Sequence, residues 1–237
     1  APLEIMITSG DGTPASHATL EVVDRNTHRL LELVNQLLDF RRIEEEMFRP
    51  KYRTQDVNVI IARICSQYAH DAKEKGIEIR FEPSVETTEW KTDGEAFYKI
   101  VSNLLSNAVK HADKTVIVDT TVENNELVVT VRDDGRGISH EHIEKIFEPF
   151  YQIDSKVNKS KPGSGLGLPL AQSLAQRMNG YITVASDKAS GTEFRLVLPV
   201  VDEAEQPEDI KGDEMQGEIR QNENLSVRIL IAEDNEE

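Results

Sequence analysis

Three stretches of this chain combine residue types that could handle an anionic, flat-ringed ligand. The first runs from Asp93 to His111, where Asp93 is an N-cap and the following residues favour a helix. At about 100° per residue, Asn103, Asn107 and Lys110 fall within roughly a 60° arc. Phe97, Ile100, Leu104 and Ala108 fill the adjoining apolar arc. Asn side chains supply neutral oxygens that suit Mg²⁺, an ion that takes few protein ligands and keeps its waters and phosphates. Lys110 offers a point charge to a phosphate. An exposed helix face with incidental amides would show the same spacing, so this helix alone does not decide. The second stretch, Asp133-Asp134-Gly135-Arg136-Gly137-Ile138, follows directly on a β-rich run. An Asp that ends a strand and points into a pocket can accept a hydrogen bond from an exocyclic amine such as that of adenine. Gly135 and Gly137 let the backbone turn and approach a flat ring. An ordinary Asp-Gly turn is the alternative.

The third stretch is Lys161-Pro162-Gly163-Ser164-Gly165-Leu166-Gly167-Leu168, just before a helix. Glycines at alternate positions free successive N–H groups to form an anion nest at a helix N-terminus, where the dipole also favours phosphate. Pro169 sits in the first turn, where a missing N–H costs little. No Lys-Ser/Thr follows the last glycine, so this is not a Walker A loop, and it follows a polar stretch rather than a strand, unlike a dinucleotide fingerprint. Residues 155–164, with Lys156, Lys159 and Lys161, read as a lid over nucleotide or as a plain surface loop.

Other elements must hold these pieces in place. A helix is expected from about Val57 to Lys75, burying Ile60, Ile61, Ile64 and Tyr68 and stopped by Gly76, and then a strand from Ile77 to Phe81. Residues 115–122 and 127–132 are β-rich runs joined by a hairpin signal at 123–126. A helix over 168–178 ends at Asn179-Gly180, and strands over 181–186 and 193–200 follow, with Gly191 and Thr192 in the turn between them. Helices mixed with antiparallel strands give an α+β two-layer sandwich. Upstream, Leu20, Val23, Leu30, Val34 and Leu37, with Thr27 between, keep a 3-4-3-4-3 spacing along a helix from about Ser16 to Met47. Leu31, Leu38 and Ile43 widen that stripe. The pattern fits a dimeric helical hairpin, or else one core helix of a globular domain. Residues 1–7 resemble the end of an apolar helix and 8–14 a loop. His70, His140 and His142 are expected at the surface.

The 237 residues carry 43 acidic and 27 basic side chains, a formal charge of −16. Residues 201–237 hold 13 of the acids and 3 of the bases, so the acidity is largely a property of that region. Broad nucleic-acid binding is disfavoured, since phosphate backbones need basic surface. The one cysteine, Cys65, excludes an intrachain disulfide and a Cys-based zinc site. No run is apolar enough to cross a bilayer as a helix. Residues 202–224 read as an acidic linker, and 227–231 as a short buried-type strand leading into Glu233-Asp234.

Taken in order, these motifs resemble a known family. Asn103-Leu104-Leu105-Ser106-Asn107-Ala108-Val109-Lys110-His111 resembles the N box of sensor histidine kinases, and 133–138 the G1 box. Ile146-Phe147-Glu148-Pro149-Phe150-Tyr151 resembles the F box, and Gly163 to Leu168 the G2 box. The resemblance covers about Ser16 to Val200. It implies a Bergerat-type (GHKL) ATP-binding sandwich preceded by a helical dimerisation hairpin. It also implies ATP and Mg²⁺ as ligands, with Asn107 and Asn103 on the metal, Lys110 at phosphate and Asp133 at the adenine amine. Gly135, Gly137 and Ile138 would line the base, and Thr192 would reach it through a water. Gly163, Ser164, Gly165, Leu166, Gly167 and Leu168 would lie along the phosphates. His111 stands near the base, where the family often has Tyr. Related ATPases of the gyrase and chaperone type carry a Glu at the place of Asn103 to activate water. An amide cannot do that, so the resemblance favours phosphoryl transfer over hydrolysis. A non-catalytic dimerisation module is the third reading.

The implied layout is a partial dimerisation and phosphotransfer hairpin over 1–48, an ATP-binding domain over 52–200, an acidic linker over 201–225 and the start of a receiver domain over 226–237. Residues 37–44 resemble the hairpin's second helix, and the phospho-acceptor His pattern of the first helix does not occur in this sequence. The acceptor is expected upstream of Ala1, as part of a longer hybrid kinase. The expected partners are a second copy through the hairpin and a receiver domain in cis or in trans. The expected location is the cytoplasmic side of a membrane, with attachment through other parts of the parent.

Overall fold

Alternating apolar residues in two separate parts of the chain meet in one sheet. The computed structural model describes residues 23, 27, 30, 31, 34–38, 41, 47–153, 164–187 and 190–201. Their elements are β1 (Arg53–Asp56), α1 (Val57–Glu74), β2 (Glu78–Phe81), β3 (Glu89–Thr92), α2 (Gly94–His111), β4 (Thr115–Glu123), β5 (Glu126–Asp133), α3 (His140–Ile143), a 3₁₀ turn (Lys145–Phe147), α4 (Gly167–Arg177), β6 (Tyr181–Asp187) and β7 (Gly191–Pro199). The large sheet has the order β2-β4-β5-β7-β6, with β2 parallel to β4 and every other pair antiparallel. This is the α+β sandwich that the sequence pattern predicts.

Period-2 alternation puts Val116 and Val118, Leu127, Val129 and Val131, and Phe194, Leu196 and Leu198 on one face of the sheet. They share a core with Ile61 and Ile64 of α1, Phe97, Ile100, Leu104 and Ala108 of α2, and Leu170 and Leu174 of α4. The apolar arc of α2 is thus fully buried, which turns its amide-bearing arc away from the core. The opposite face of the sheet carries ion pairs, Arg132–Glu193 at 2.6 Å and Arg195–Glu123 at 3.1 Å.

Local chemistry fixes the element ends. Asp93 Oδ1 accepts the Glu95 and Ala96 N–H groups at 3.0 Å each, and its Oδ2 accepts the Lys51 N–H at 2.7 Å. Asp56 caps α1 in the same way through the Asn58 N–H. Asn124 and Asn125, at φ 52° and 63°, close the β4–β5 hairpin in the geometry of a type I′ turn. The two-stranded pair of β1 and β3 is absent from the sequence reading, because neither four-residue strand carries a clear alternation.

Two expectations need correction. Gly191 and Thr192 are not in a turn; they open β7, paired with Asp187 and Ser186. His142 is less exposed than expected: its side chain is half-buried and its Nδ1 lies 2.7 Å from the Tyr151 hydroxyl. His70 and His140 are exposed as expected. Of the upstream helix, residues 23, 27, 30, 31, 34–38 and 41 are helical. The expectations for 1–7, 8–14, Lys156, Lys159, Lys161, Gly163 and 202–237 lie outside the described residues.

Candidate functional site

Asp133 is the last residue of β5 and is 2% exposed. Its Oδ1 accepts the Gly135 N–H at 2.9 Å, and the Thr192 backbone N–H also donates to its carboxylate. Burial pushes the Asp133 carboxyl up to about 6, against the pull of those two N–H groups, and the neighbouring Asp134 and Asp113 charges add to the rise. The adjacent Asp134 has a different job. Its Oδ1 accepts the N–H groups of Asp113, Lys114 and Thr115 at 3.0, 2.9 and 3.0 Å, pinning the α2–β4 turn. Desolvation works to raise the Asp134 carboxyl, but the backbone N–H groups together leave it below the ordinary carboxylate range.

The turn after Asp133 is pressed against its surroundings. A methyl at Gly135 would overlap the His111 carbonyl oxygen, and one at Gly191 would overlap the Asp133 carbonyl oxygen. Gly137 takes φ +68°, and the Ile138 N–H donates to Ser186 Oγ at 2.7 Å. Thr192 is 5% exposed and sits opposite Asp133 in the β5–β7 register, with its Oγ1 3.0 Å from Ser186 Oγ. Asp133, Gly135, Ile138 and Thr192 therefore share one corner. Ser186 belongs to the same corner and was missed from sequence. The available signal was its place opposite Thr192 across the β6–β7 hairpin.

The glycine-rich stretch meets α2 from the other side. Asn103 donates its Nδ2 hydrogen to the Lys99 carbonyl at 2.8 Å, which leaves Oδ1 as the outward atom. That Oδ1 lies 2.7 Å from where a Cβ on Gly167 would stand, so α4 begins against the amide face of α2. Asn107, Lys110 and His111 are half-buried further along α2. Unlike α1 and α2, α4 has no side-chain cap: Leu166 occupies the N-cap position. Among the described residues no side-chain oxygen caps the first-turn N–H groups of Gly167 and Leu168, as a helix end that takes an anion requires. Ser164 Oγ accepts the Leu166 N–H at 3.1 Å and donates to Gln36 Oε1 at 2.8 Å. Gly165, at φ +71°, accepts the Phe150 N–H at 2.9 Å through its carbonyl, which joins the F-box and G2 stretches. Leu166 is buried and Leu168 packs on the core. Gly163 lies outside the described residues.

The donor set on α2 is made of amide oxygens, which suits a hard cation that keeps most of its shell as water and phosphate. Among the described residues, no cluster of three or more His, Cys, Asp or Glu could hold a metal by itself. No helix among them is long and apolar enough to cross a membrane.

Residues 92–202 match the family of histidine kinase-, DNA gyrase B- and HSP90-like ATPases. The sandwich, the acid at the end of β5 and the uncapped helix after the glycines are therefore parts of an ATP-binding domain of that class. Among curated proteins the chain is 31% identical over 182 residues to an uncharacterized sensor-like histidine kinase of Rhizobium meliloti, covering 76% of this chain and 35% of that protein. It is 30% identical over 191 residues to the sensor histidine kinase RppB of Synechocystis, covering 79% of this chain and 42% of the relative. The structure of full-length ShkA in complex with AMPPNP superposes with a TM-score of 0.71 at 25% identity, over 81% of this chain and 40% of that one. The Acinetobacter baumannii histidine kinase AdeS, at 17% identity and a TM-score of 0.65 over 84% of this chain and 90% of that one, shares the fold. The chain spans between a third and a half of the length of these two curated relatives. By these likenesses it is similar to the ATP-binding catalytic core of sensor histidine kinases.

Proposed function

We propose that this core binds Mg-ATP between the amide face of α2, the turn after β5 and the N-terminus of α4, and passes the γ-phosphoryl group to a histidine. The acceptor imidazole nitrogen would bond to the γ-phosphorus while the bond to the bridging oxygen breaks, and ADP departs. Asp133 would accept from the adenine amine, Thr192 would act near it through a water, and Gly135, Gly137 and Ile138 would lie against the ring. Asn107 and Asn103 would hold Mg²⁺, whose part is to neutralise phosphate charge. Lys110, with the N–H groups at Gly165 and Gly167, would hold the phosphates.

The observation that carries this reading is the buried Asp133 acceptor in the same fold as an uncapped glycine-led helix end that abuts Asn103. Asn103 also argues against a hydrolase: its amide is tied to the Lys99 carbonyl and takes no proton from water. The hairpin reading of 1–48 is supported by Val23, Leu30, Leu31, Val34, Leu37 and Leu38, which stand between 42% and 62% exposed along the upstream helix. A second copy would cover that stripe. A receiver partner and a place on the cytoplasmic side of a membrane rest on the resemblance. Titration calorimetry with ATP tests the site. Wild type should bind, Asp133→Asn and Asn107→Ala should lose affinity by tenfold or more, and an undiminished Asp133→Asn would refute the adenine assignment.

A further inference from the structure

Ser186 lies outside every motif that marks the site, yet its hydroxyl is where the site's corner is tied together. It accepts the Ile138 N–H at 2.7 Å, donates to the Gly191 carbonyl at 3.0 Å and lies 3.0 Å from Thr192 Oγ1. A serine hydroxyl has one hydrogen and two lone pairs. With its hydrogen on Gly191, all three contacts are satisfied in only one arrangement, in which Thr192 donates its hydroxyl hydrogen to Ser186. The oxygen of Thr192 is then left with lone pairs alone to offer. Asp133, across the β5–β7 pairing, offers lone pairs as well.

We infer that Ser186 is a specificity-determining positioning residue: by taking the hydroxyl hydrogen of Thr192, it leaves the base corner with acceptors only. Such a corner admits a purine with an amino group at C6 and rejects one with an oxo group there. The inference rests on the proposed placing of the adenine amine at Asp133. Ser186 touches no ligand in this scheme and acts through Thr192. A site whose polar groups are all of one kind rejects the mismatched isostere because its own buried acceptors are left unpaired.

The test compares ATP with inosine triphosphate, which shares the ribose and triphosphate but carries an oxo group at C6 and a hydrogen at N1. Affinities are measured for wild type, Ser186→Ala and Ser186→Thr. Wild type should prefer ATP. In Ser186→Ala the freed Thr192 hydroxyl can rotate and donate, so the ATP-to-ITP ratio should fall about tenfold, the scale of one hydrogen bond. Ser186→Thr, which keeps the hydroxyl, should restore it. General loosening of the turn would weaken both nucleotides together and leave the ratio unchanged, and that result overturns the inference. If Ser186→Ala does not fold, Ser186→Cys, with a weaker acceptor, must lower the ratio in the same direction, and an unchanged ratio is again fatal. Asp133→Asn separates the two claims. If it abolishes discrimination while the Ser186 variants do not, only the Ser186 inference fails; a wild type that does not distinguish the two nucleotides defeats both.

Discussion

Gly191→Ala should damage this protein far more than Gly76→Ala, although both glycines have positive φ. Gly76 ends α1 at φ +73° with nothing within 4 Å of the place a Cβ would take. An L-residue there pays roughly 1–2 kcal/mol for the left-handed conformation. About 0.4–1 kcal/mol returns because the unfolded chain is stiffened. Gly191 has φ +86°, and a methyl on it would overlap the Asp133 carbonyl oxygen and stand 2.8 Å from that carbonyl carbon and 3.0 Å from Asp134 Cα. These are backbone atoms of the last residue of a central strand and of the residue after it, so the strand end itself must move, and overpacking of that kind costs a further ~1–3 kcal/mol. The cost of Gly191→Ala should therefore exceed that of Gly76→Ala by about 2 kcal/mol. Urea unfolding followed by fluorescence of Trp90, the one tryptophan, 8% exposed, reads this directly. With a slope of about 2 kcal/mol per molar, the two midpoints should differ by roughly 1 M. ATP affinity should fall in Gly191→Ala and hold in Gly76→Ala, since the displaced atoms carry Asp133. Equal midpoints, or a Gly191→Ala protein with wild-type affinity, would show that β5 and β7 do not meet as described.

Other outcomes follow from the same contacts. Burial raises Asp133 to about 6, so its folded form favours the proton and its ionisation costs stability as pH rises from the ordinary carboxylate range through about 6. Asp133→Asn should match wild type in melting temperature at about pH 4 and exceed it at about pH 7.5 while binding ATP poorly; a lower melting temperature at both pH values would refute the burial argument. Asp134→Ala removes one acceptor from three backbone N–H groups and should cost roughly 1–3 kcal/mol in urea unfolding, with the ATP-to-ITP ratio unchanged. Asp93→Ala uncaps α2 and frees the Lys51 N–H, a loss of about 1–2 kcal/mol that Asp93→Asn should largely recover. Gly167→Ala pushes on Asn103 Oδ1, and a drop in Mg-ATP affinity with little change in unfolding midpoint is the expected result.

Much of this arrangement is visible in the sequence because its signals are local. The Asp93 cap, the two arcs of α2 and the Asn124-Asn125 turn each follow from a few neighbouring residues. The chemistry of Asp133 was legible for the same reason, as an acid at a strand end beside two glycines. What escaped depends on registry between distant segments. Ser186 matters only because β6 and β7 pair it with Thr192 while the turn after β5 delivers the Ile138 N–H. Likewise, nothing local shows that the neighbouring Asp134 pins the α2–β4 turn, a role that only the fold reveals. Gly191 and Thr192 look like turn residues by composition, and strand pairing overrides that preference. The β1–β3 pair is too short for periodicity to register, and His142 needed Tyr151 beside it to become half-buried.

The central claim is that this core transfers phosphate to histidine rather than to water. A version of the chain extended upstream to include the expected acceptor helix, incubated with ATP labelled at the γ-phosphate, tests it most directly. Protein-bound label that is lost in acid and kept in base, absent from Asp133→Asn and Asn107→Ala and retained by Asp134→Ala, is the predicted result. Saturable ATP binding with label released only as free phosphate would contradict it.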